Sequence, residues 1–212
     1  MNIMSPSSYD FVVLEISALR WRSLSADFLV DVAWAYYYFS IQFRENLQIA
    51  RALYPDDEKL QRLEAEECAT SNLSPWPEVA MPEERMDHDE FMRRLLQLTA
   101  IPAAKLARLE TAGQTYLETI RQMEASTRAA SIASYEDGGL ETVFRAFLTA
   151  PDWNSSLLQA FRHFLMEHIR FDSDPEQGHS ALSRHLLPDN RVLPLWTAFR
   201  QLLIECVPKL SN

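Results

Sequence analysis

The sequence is poor in glycine, with 4 in 212 residues, and two of these, Gly138 and Gly139, are adjacent. Glycine supplies the positive-φ corners that hairpins and β-sandwiches need, so its shortage argues against a strand-rich fold. Cysteine is as scarce, because Cys68 and Cys206 are the only two and neither belongs to a CxxC pair. A disulfide framework is therefore not expected, and we predict a reducing, cytoplasmic location.

The sequence also lacks an excess of basic charge and any long apolar run. It has 20 Lys and Arg against 30 Asp and Glu, which gives a formal net charge of −10. An acidic surface repels nucleic-acid phosphates. No apolar stretch approaches the roughly 20 residues of a membrane helix, and residues 1–10 lack the basic patch and apolar core of a secretory signal. We therefore expect neither a nucleic-acid nor a membrane partner.

What the sequence does contain favours an all-α fold. Residues that favour helices, such as Ala, Leu, Glu, Gln, Arg and Met, are abundant, and 47% of the chain is hydrophobic. This predicts one helical domain over residues 1–212, built as a single bundle of seven to eight helices. The pattern places them at about 28–53, 57–70, 86–98, 101–133, 140–149, 155–171, 175–186 and 192–207, with an ordered proline-rich loop at 71–83 and a break at 134–139.

The helix predicted at 28–53 carries aromatic residues on nearly every face. They are Trp34, Tyr36, Tyr37, Tyr38, Phe39 and Phe43. A helix that is apolar all round is buried on most sides, so we expect the central helix of the core here. The same aromatic residues are candidates for the wall of a substrate pocket.

The histidines are concentrated near the C-terminus, where four of the five lie between positions 163 and 185. His168 and Asp172 are four residues apart and so share one face of a helix, where one metal ion could bind both. His179 follows after a proline and a glycine that interrupt the helix, and this break could bring it to the same centre. Histidine with carboxylate, and without thiolate, suits iron or manganese better than structural zinc.

Other candidate ligands come from other helices. His88 lies in the first turn of the helix at 86–98, among acidic neighbours, and is a candidate of its own. Glu67 and Glu136 lie in acidic stretches that composition alone predicts to face solvent. His163 and His185 lack an acidic partner at a good helical spacing, so we expect them either to support the metal ligands through hydrogen bonds or to be structural.

Four segments carry a resemblance to a known family: RLEAEECATSNLSPW, ERMDHDEFMRRL, ASYEDGGLETVF and EHIRFDSDPEQGHSALSRHL. With them the whole chain resembles the haem-oxygenase-like di-iron oxidases and oxygenases, a helical superfamily that includes thiaminase-like and pyrroloquinoline-quinone-synthase-like proteins. The resemblance implies a haem-oxygenase-like bundle with Fe(2+), two per chain. It implies six metal ligands, Glu67, His88, Glu136, His168, Asp172 and His179, with Glu66 as the alternative to Glu67.

The chain departs from the family pattern in two places. The last two ligands are spaced Asp-x6-His, and a proline-rich loop separates the first glutamate from the first histidine. One iron therefore stays open as an alternative to two. The resemblance implies an iron-dependent oxidoreductase that activates dioxygen to oxidise a small substrate, and a homodimer. Tyr37 and Tyr38, with Tyr36 beside them, are candidates for an internal electron donor.

Two alternatives of other classes remain at this point. A metal-free enzyme of the same fold would use its histidine, tyrosine and glutamate side chains for acid–base work, and a non-catalytic interaction protein would need no metal. The substrate class is also open among an amine, an amino acid and a fatty acid. A fatty acid requires a deep apolar tunnel, whereas an amino acid requires a paired arginine and carboxylate near the entrance. The arginines to inspect are Arg44, Arg85, Arg93 and Arg170.

Overall fold

The computed structural model of the chain describes residues 8–71, 75–172 and 179–211, without the side chains of residues 8, 171, 172, 180 and 184. Its α-helices are α1 (Ser8–Ser17), α2 (Ala26–Leu53), α3 (Glu58–Glu67), α4 (His88–Leu96), α5 (Ala103–Arg121), α6 (Ala125–Ser134), α7 (Leu140–Phe147), α8 (Ser156–Asp172), α9 (His179–Ser183) and α10 (Leu193–Cys206). A π-helical turn, Tyr135–Gly139, joins α6 to α7, and 3-10 turns lie at Trp21–Ser23, Arg184–Leu186, Asn190–Val192 and Pro208–Leu210.

The all-α prediction is confirmed, because the described residues contain isolated β-bridges but no strand. The helices are more finely divided than the seven or eight expected. No helix in this part of the chain is long and apolar enough to cross a membrane.

α2 is the central helix, and α3, α4, α5, α6, α8 and α10 all pack against it. Leu29, Val32, Phe39 and Leu47 are fully buried along its length. One continuous cluster of buried apolar side chains draws members from every α-helix. The aromatic stretch thus forms the core helix that its pattern predicts.

Buried polar side chains fix α6 against α2. The side-chain amide of Asn46 donates to Ser131 Oγ (2.9 Å), and Arg128 Nε donates to Asn46 Oδ1 (2.7 Å). Leaving such a buried group unpaired costs about 1–3 kcal/mol, so this network allows one register between the two helices. Since α6 leads directly into the turn Tyr135–Gly139, the network also sets where that turn lies.

Two features of the helix prediction are wrong. The helix expected over 101–133 is interrupted between Arg121 and Ala125, although neither proline nor glycine occurs there. The extended backbone of Glu124 (φ −55°, ψ 136°) turns the chain, and Arg128 then reaches Glu45 (3.1 Å) on α2. The second difference is α1, which was not predicted because the apolar run that forms it is short. This helix is stabilised by the packing of its buried residues against α7 and α10.

Of the loop at 71–83, the structure describes residue 71 and residues 75–83, and residues 72–74 lie outside the described part. Trp76 and Ala80 form an isolated bridge, and Val79 is buried. The Trp76 ring stacks on His163 with 4.8 Å between centroids, so this part of the loop packs onto α8. Met81, by contrast, is 70% exposed.

Candidate metal centre

Glu67 and His88 are distant in sequence, but hydrogen bonds of Thr70 with Met86 and of Ala69 with Asp87 bring them together. We call these three hydrogen bonds the brace. Glu67 is the last residue of α3, and His88 is the first residue of α4. Just beyond them, Thr70 and Met86 exchange two backbone hydrogen bonds of 3.0 Å each. Asp87 adds a third bond, since its Oδ1 accepts the Ala69 N–H at 2.8 Å. The ends of the two helices are therefore held side by side.

Ala69 allows the chain to turn tightly at this point. Its φ is +47°, a left-handed conformation that costs an L-residue other than glycine roughly 1 kcal/mol. The strain occurs two residues after Glu67 and is retained because the brace over-determines it.

Arg44 of α2 clamps the start of α4. Its Nε and Nη2 donate to the two carboxylate oxygens of Asp89, at 2.9 and 2.8 Å. Its Nε also lies 3.7 Å from Asp87 Oδ2. The central helix is thus tied to the first turn that carries His88.

The π-helical turn places Glu136 in the interior. Asp137 and Gly138 leave helical geometry there, and Gly138 has φ of +90°. Such turns insert one extra residue and redirect the side chains before them. Glu136 is only 5% exposed as a result, although its acidic stretch predicts an exposed turn.

His168 lies in the last turns of α8 and is fixed by the helix backbone. Its Nδ1 lies 2.9 Å from the Phe164 carbonyl oxygen, which calls for a proton on Nδ1 and leaves Nε2 with its lone pair. Burial, together with the neighbouring His88, lowers the pKa of His168 to about 3. A neutral imidazole held in one tautomer by a backbone carbonyl is the form in which histidine binds metals.

The two oxygens of Glu67 face two different groups of side chains. Oε2 lies 2.7 Å from His88 Nδ1, and that nitrogen lies 3.2 Å from His168 Nε2. Oε1 lies 3.0 Å from His179 Nδ1, which in turn is 3.3 Å from Glu136 Oε2. We call the first group the inner half and the second group the outer half of the site.

All five of these side chains are buried, each with 8% exposure or less. Burial disfavours ionisation of Glu67, but His88 and His179 outweigh it and lower the pKa of this carboxyl well below its ordinary value. Glu67 Oε1 makes no hydrogen bond of good geometry within the described residues, despite its contact with His179. Because a buried acceptor in that position is costly, it fits a site that a cation completes.

The residues present also fit a metal by distance and by donor type. Ligand atoms of Glu67, His88 and His168 all lie within 4.8 Å of one another. Cys68 is adjacent to Glu67 but is not a member of this group. The grouped donors are therefore nitrogen and oxygen atoms, which suit iron and manganese.

A cavity of about 20 Å³ adjoins the inner half. On the same scale, about 10–15 Å³ is enough for one water molecule. Its walls combine apolar and aromatic side chains with the site carboxylates and imidazoles, and they include Tyr36, Phe43, Arg44, Asp89 and Leu140.

The structure thus brings together five of the six predicted ligands, Glu67, His88, Glu136, His168 and His179. The sixth is Asp172, whose side chain lies outside the described residues, so that prediction stays open. Glu66, the alternative to Glu67, is at the edge of the site, where Arg62 binds one oxygen and His179 Nε2 lies 3.5 Å from the other.

The tyrosines and the remaining histidines are placed as follows. Tyr36, and neither Tyr37 nor Tyr38, is among the described residues that line the cavity. Tyr38 packs over Gly113 of α5, while Tyr37 lies beside Asp89 and Arg93. His163 stacks on Trp76, and His185 pairs with Asp57, so neither belongs to the five clustered donors.

Two residues of the site have no strong signal in the sequence. Asp87 precedes His88 in an acidic run, and nothing there indicates its bond to Ala69. Arg44 is one of the four arginines that the sequence offers as candidates to bind a substrate carboxylate, and its spacing to Asp89 shows no pattern. Comparison of the chain with protein-family models, with curated proteins and with solved structures finds no match.

Proposed function

We propose that this protein is a non-haem iron oxidoreductase that binds two ferrous ions and uses dioxygen to oxidise a small substrate. The observation that carries the proposal is Glu67, whose two buried oxygens face separate histidine-containing groups. A carboxylate between two sets of donors is suited to bridge two cations. The family resemblance of the four sequence segments supports the same proposal and suggests a haem-oxygenase-like bundle.

The chain's own residues have distinct roles in this proposal. His88 and His168 would hold one ion together with Glu67, and the Phe164 carbonyl keeps the proton on His168 Nδ1 so that Nε2 retains its lone pair. Glu136 and His179, with Glu67, would hold the second ion. Asp172, one helical turn beyond His168, is the proposed further ligand.

Ferrous ions would supply the electrons and the open coordination positions that dioxygen needs. Tyr36, Phe43 and Leu140 would keep water from the reacting region, since they form the apolar side of the cavity. Tyr36 lines the cavity and, among the described lining residues, Tyr37 and Tyr38 do not, so we propose Tyr36 for the electron-donor role expected of Tyr37 or Tyr38.

One observation favours a second candidate function, a metal-free acid–base enzyme. Glu67 Oε2 and His88 Nδ1 are 2.7 Å apart in a buried site, a distance at which a proton can pass between them. Metal content separates the two candidates, because an acid–base enzyme would not need all five clustered donors.

An anaerobic ferrous titration tests the proposal. We expect about two irons per chain and a transient visible absorption band after oxygen is admitted. Both should be lost in His168→Ala. His163→Ala is the matched control, since His163 lies on the same helix but stacks on Trp76 outside the donor set. One iron per chain would leave a mono-iron enzyme, and no specific uptake would favour the acid–base enzyme.

A further inference from the structure

Arg44 is the one arginine or lysine among the described residues that line the cavity. It shares that surface with four of the five clustered donors, Glu67, His88, Glu136 and His168. Two other arginines that bind both oxygens of one carboxylate, Arg121 with Glu45 and Arg93 with Glu90, are nearly half exposed, whereas the Arg44 side chain is 29% exposed.

Asp89 fixes the orientation of the Arg44 guanidinium but uses only some of its N–H donors. Asp89, whose side chain is 12% exposed, binds the edge formed by Nε and Nη2. Nη1 donates to no residue in the described ranges. A guanidinium has five N–H donors in a rigid plane, so one carboxylate can hold it by one edge while the other edge binds a second carboxylate.

The size of the cavity restricts what can approach this second edge. It holds about 20 Å³, and the larger clefts of the described chain, about 540 and 310 Å³, are lined by different residues. A cavity of that volume has room for a ligand of only a few heavy atoms, so a short acid fits it better than an extended alkyl chain does.

We propose that Arg44 is the substrate anchor, which binds the carboxylate of a short carboxylic acid and directs the rest of the molecule toward the metal donors. Asp89 is the positioning residue that holds the guanidinium plane. The inference rests on the proposed function for the identity of the reaction, but the binding step itself is independent of iron.

The test must separate anchoring from the structural clamp, because Arg44 also ties α2 to α4. Arg44→Lys keeps the positive charge and a link to Asp89 but loses the planar fork. Arg121→Lys is the matched control. Arg121 also donates to both carboxylate oxygens of a residue on α2, Glu45, and the change removes that contact in the same way. Circular dichroism and thermal unfolding establish that both variants are folded before binding is measured.

The measurement is calorimetric titration of the full-length protein with acetate, at constant ionic strength, with acetamide as the uncharged probe. It is made with metal-free protein and with anaerobic ferrous protein. We expect acetate binding in at least one state, about tenfold weaker in Arg44→Lys, unchanged in Arg121→Lys, and no competition from acetamide. A tenfold loss is what replacing a two-bond contact with a point charge predicts.

Three results would overturn the inference: no acetate binding in either state, equal affinity in Arg44→Lys, or equal affinity for acetamide. If acetate binds only the ferrous protein, and with the same affinity in Arg44→Lys, it binds to the metal. That result would also contradict the role of Arg44 as the anchor. If the protein takes up no iron, the proposed function fails. The metal-free titration still decides the role of Arg44 in that case.

Discussion

Replacement of Asp87 with alanine tests whether the brace between α3 and α4 preorganises the inner half. The change removes one hydrogen bond, from the exposed Ala69 N–H to Asp87 Oδ1 at 2.8 Å. Such a bond contributes about 0.5–1.5 kcal/mol to stability. The 3.7 Å contact with Arg44 adds at most about 1 kcal/mol, since both side chains are roughly one-third exposed. The two bonds between Thr70 and Met86 remain, so the protein should still fold.

The loss of iron-binding free energy should exceed the loss of unfolding free energy. Without Asp87, the ends of α3 and α4 are linked by the two Thr70–Met86 bonds, while Arg44 still holds α4 through Asp89. Loss of a residue that orients metal ligands weakens binding about 10- to 100-fold. That corresponds to about 1.4–2.7 kcal/mol. The assay combines anaerobic ferrous titration with urea unfolding of the same metal-free samples.

Two further variants separate positioning from stability. Asp87→Asn keeps an oxygen that can accept the Ala69 N–H, and should restore most of the affinity. Asp189→Ala removes an exposed acceptor of one backbone N–H (2.8 Å) outside the donor set, and should lower stability without weakening iron binding. An Asp87→Ala protein that binds iron as the wild type does, while less stable, would refute preorganisation by the brace.

Three other changes test the fold around the site. Ala69→Gly relieves the left-handed φ of +47°, and should stabilise the protein by up to about 1 kcal/mol in urea unfolding; a loss of stability would contradict the strain argument. Gly113→Ala would place a Cβ 2.1 Å from the Tyr38 ring, and should lower the free energy of unfolding by about 1–3 kcal/mol, whereas no change would mean that the ring moves freely. Burial opposes ionisation of Glu45, but Arg121 and Arg128 outweigh it and lower its pKa below 4.5. The stability from this pairing is therefore present above pH 4.5 and is lost as the pH falls through the lowered pKa. Glu45→Gln should then show a smaller fall in unfolding free energy as the pH is lowered from neutral through the lowered pKa, and an equal fall would contradict the assignment.

The sequence was sufficient for the core but not for every helix boundary. The aromatic residues of α2 predict a buried helix because their periodicity leaves no polar face. The break between Arg121 and Ala125 could not be predicted, since it depends on Arg128 reaching Glu45 and Asn46 across the bundle. A tertiary contact of this kind has no local pattern in the sequence.

In the candidate site, too, some positions could be predicted from the sequence and others depend on tertiary structure. His168 lies where the spacing of the α8 segment suggests, on a helix of predictable length. Glu136 is buried only because Asp137 and Gly138 leave helical geometry, which composition does not reveal. Tyr36, Tyr37 and Tyr38 are equivalent by composition, but consecutive residues on a helix point about 100° apart. Only the packing of α2 decides that Tyr36 lines the cavity.

The two halves of the site differ in how they are built, and this difference implies an order of metal binding. The inner half combines helix ends fixed by the brace, the Arg44 clamp and the Phe164 carbonyl. Its three donors already lie within 4.8 Å of one another. The outer half depends on Glu136 in a turn with a glycine at φ +90° and on His179 at the start of the five-residue α9. A preorganised set loses less conformational entropy when it binds a cation. If the protein binds two ferrous ions, as we propose, the first should therefore occupy the inner half, where Glu67, His88 and His168 would hold it.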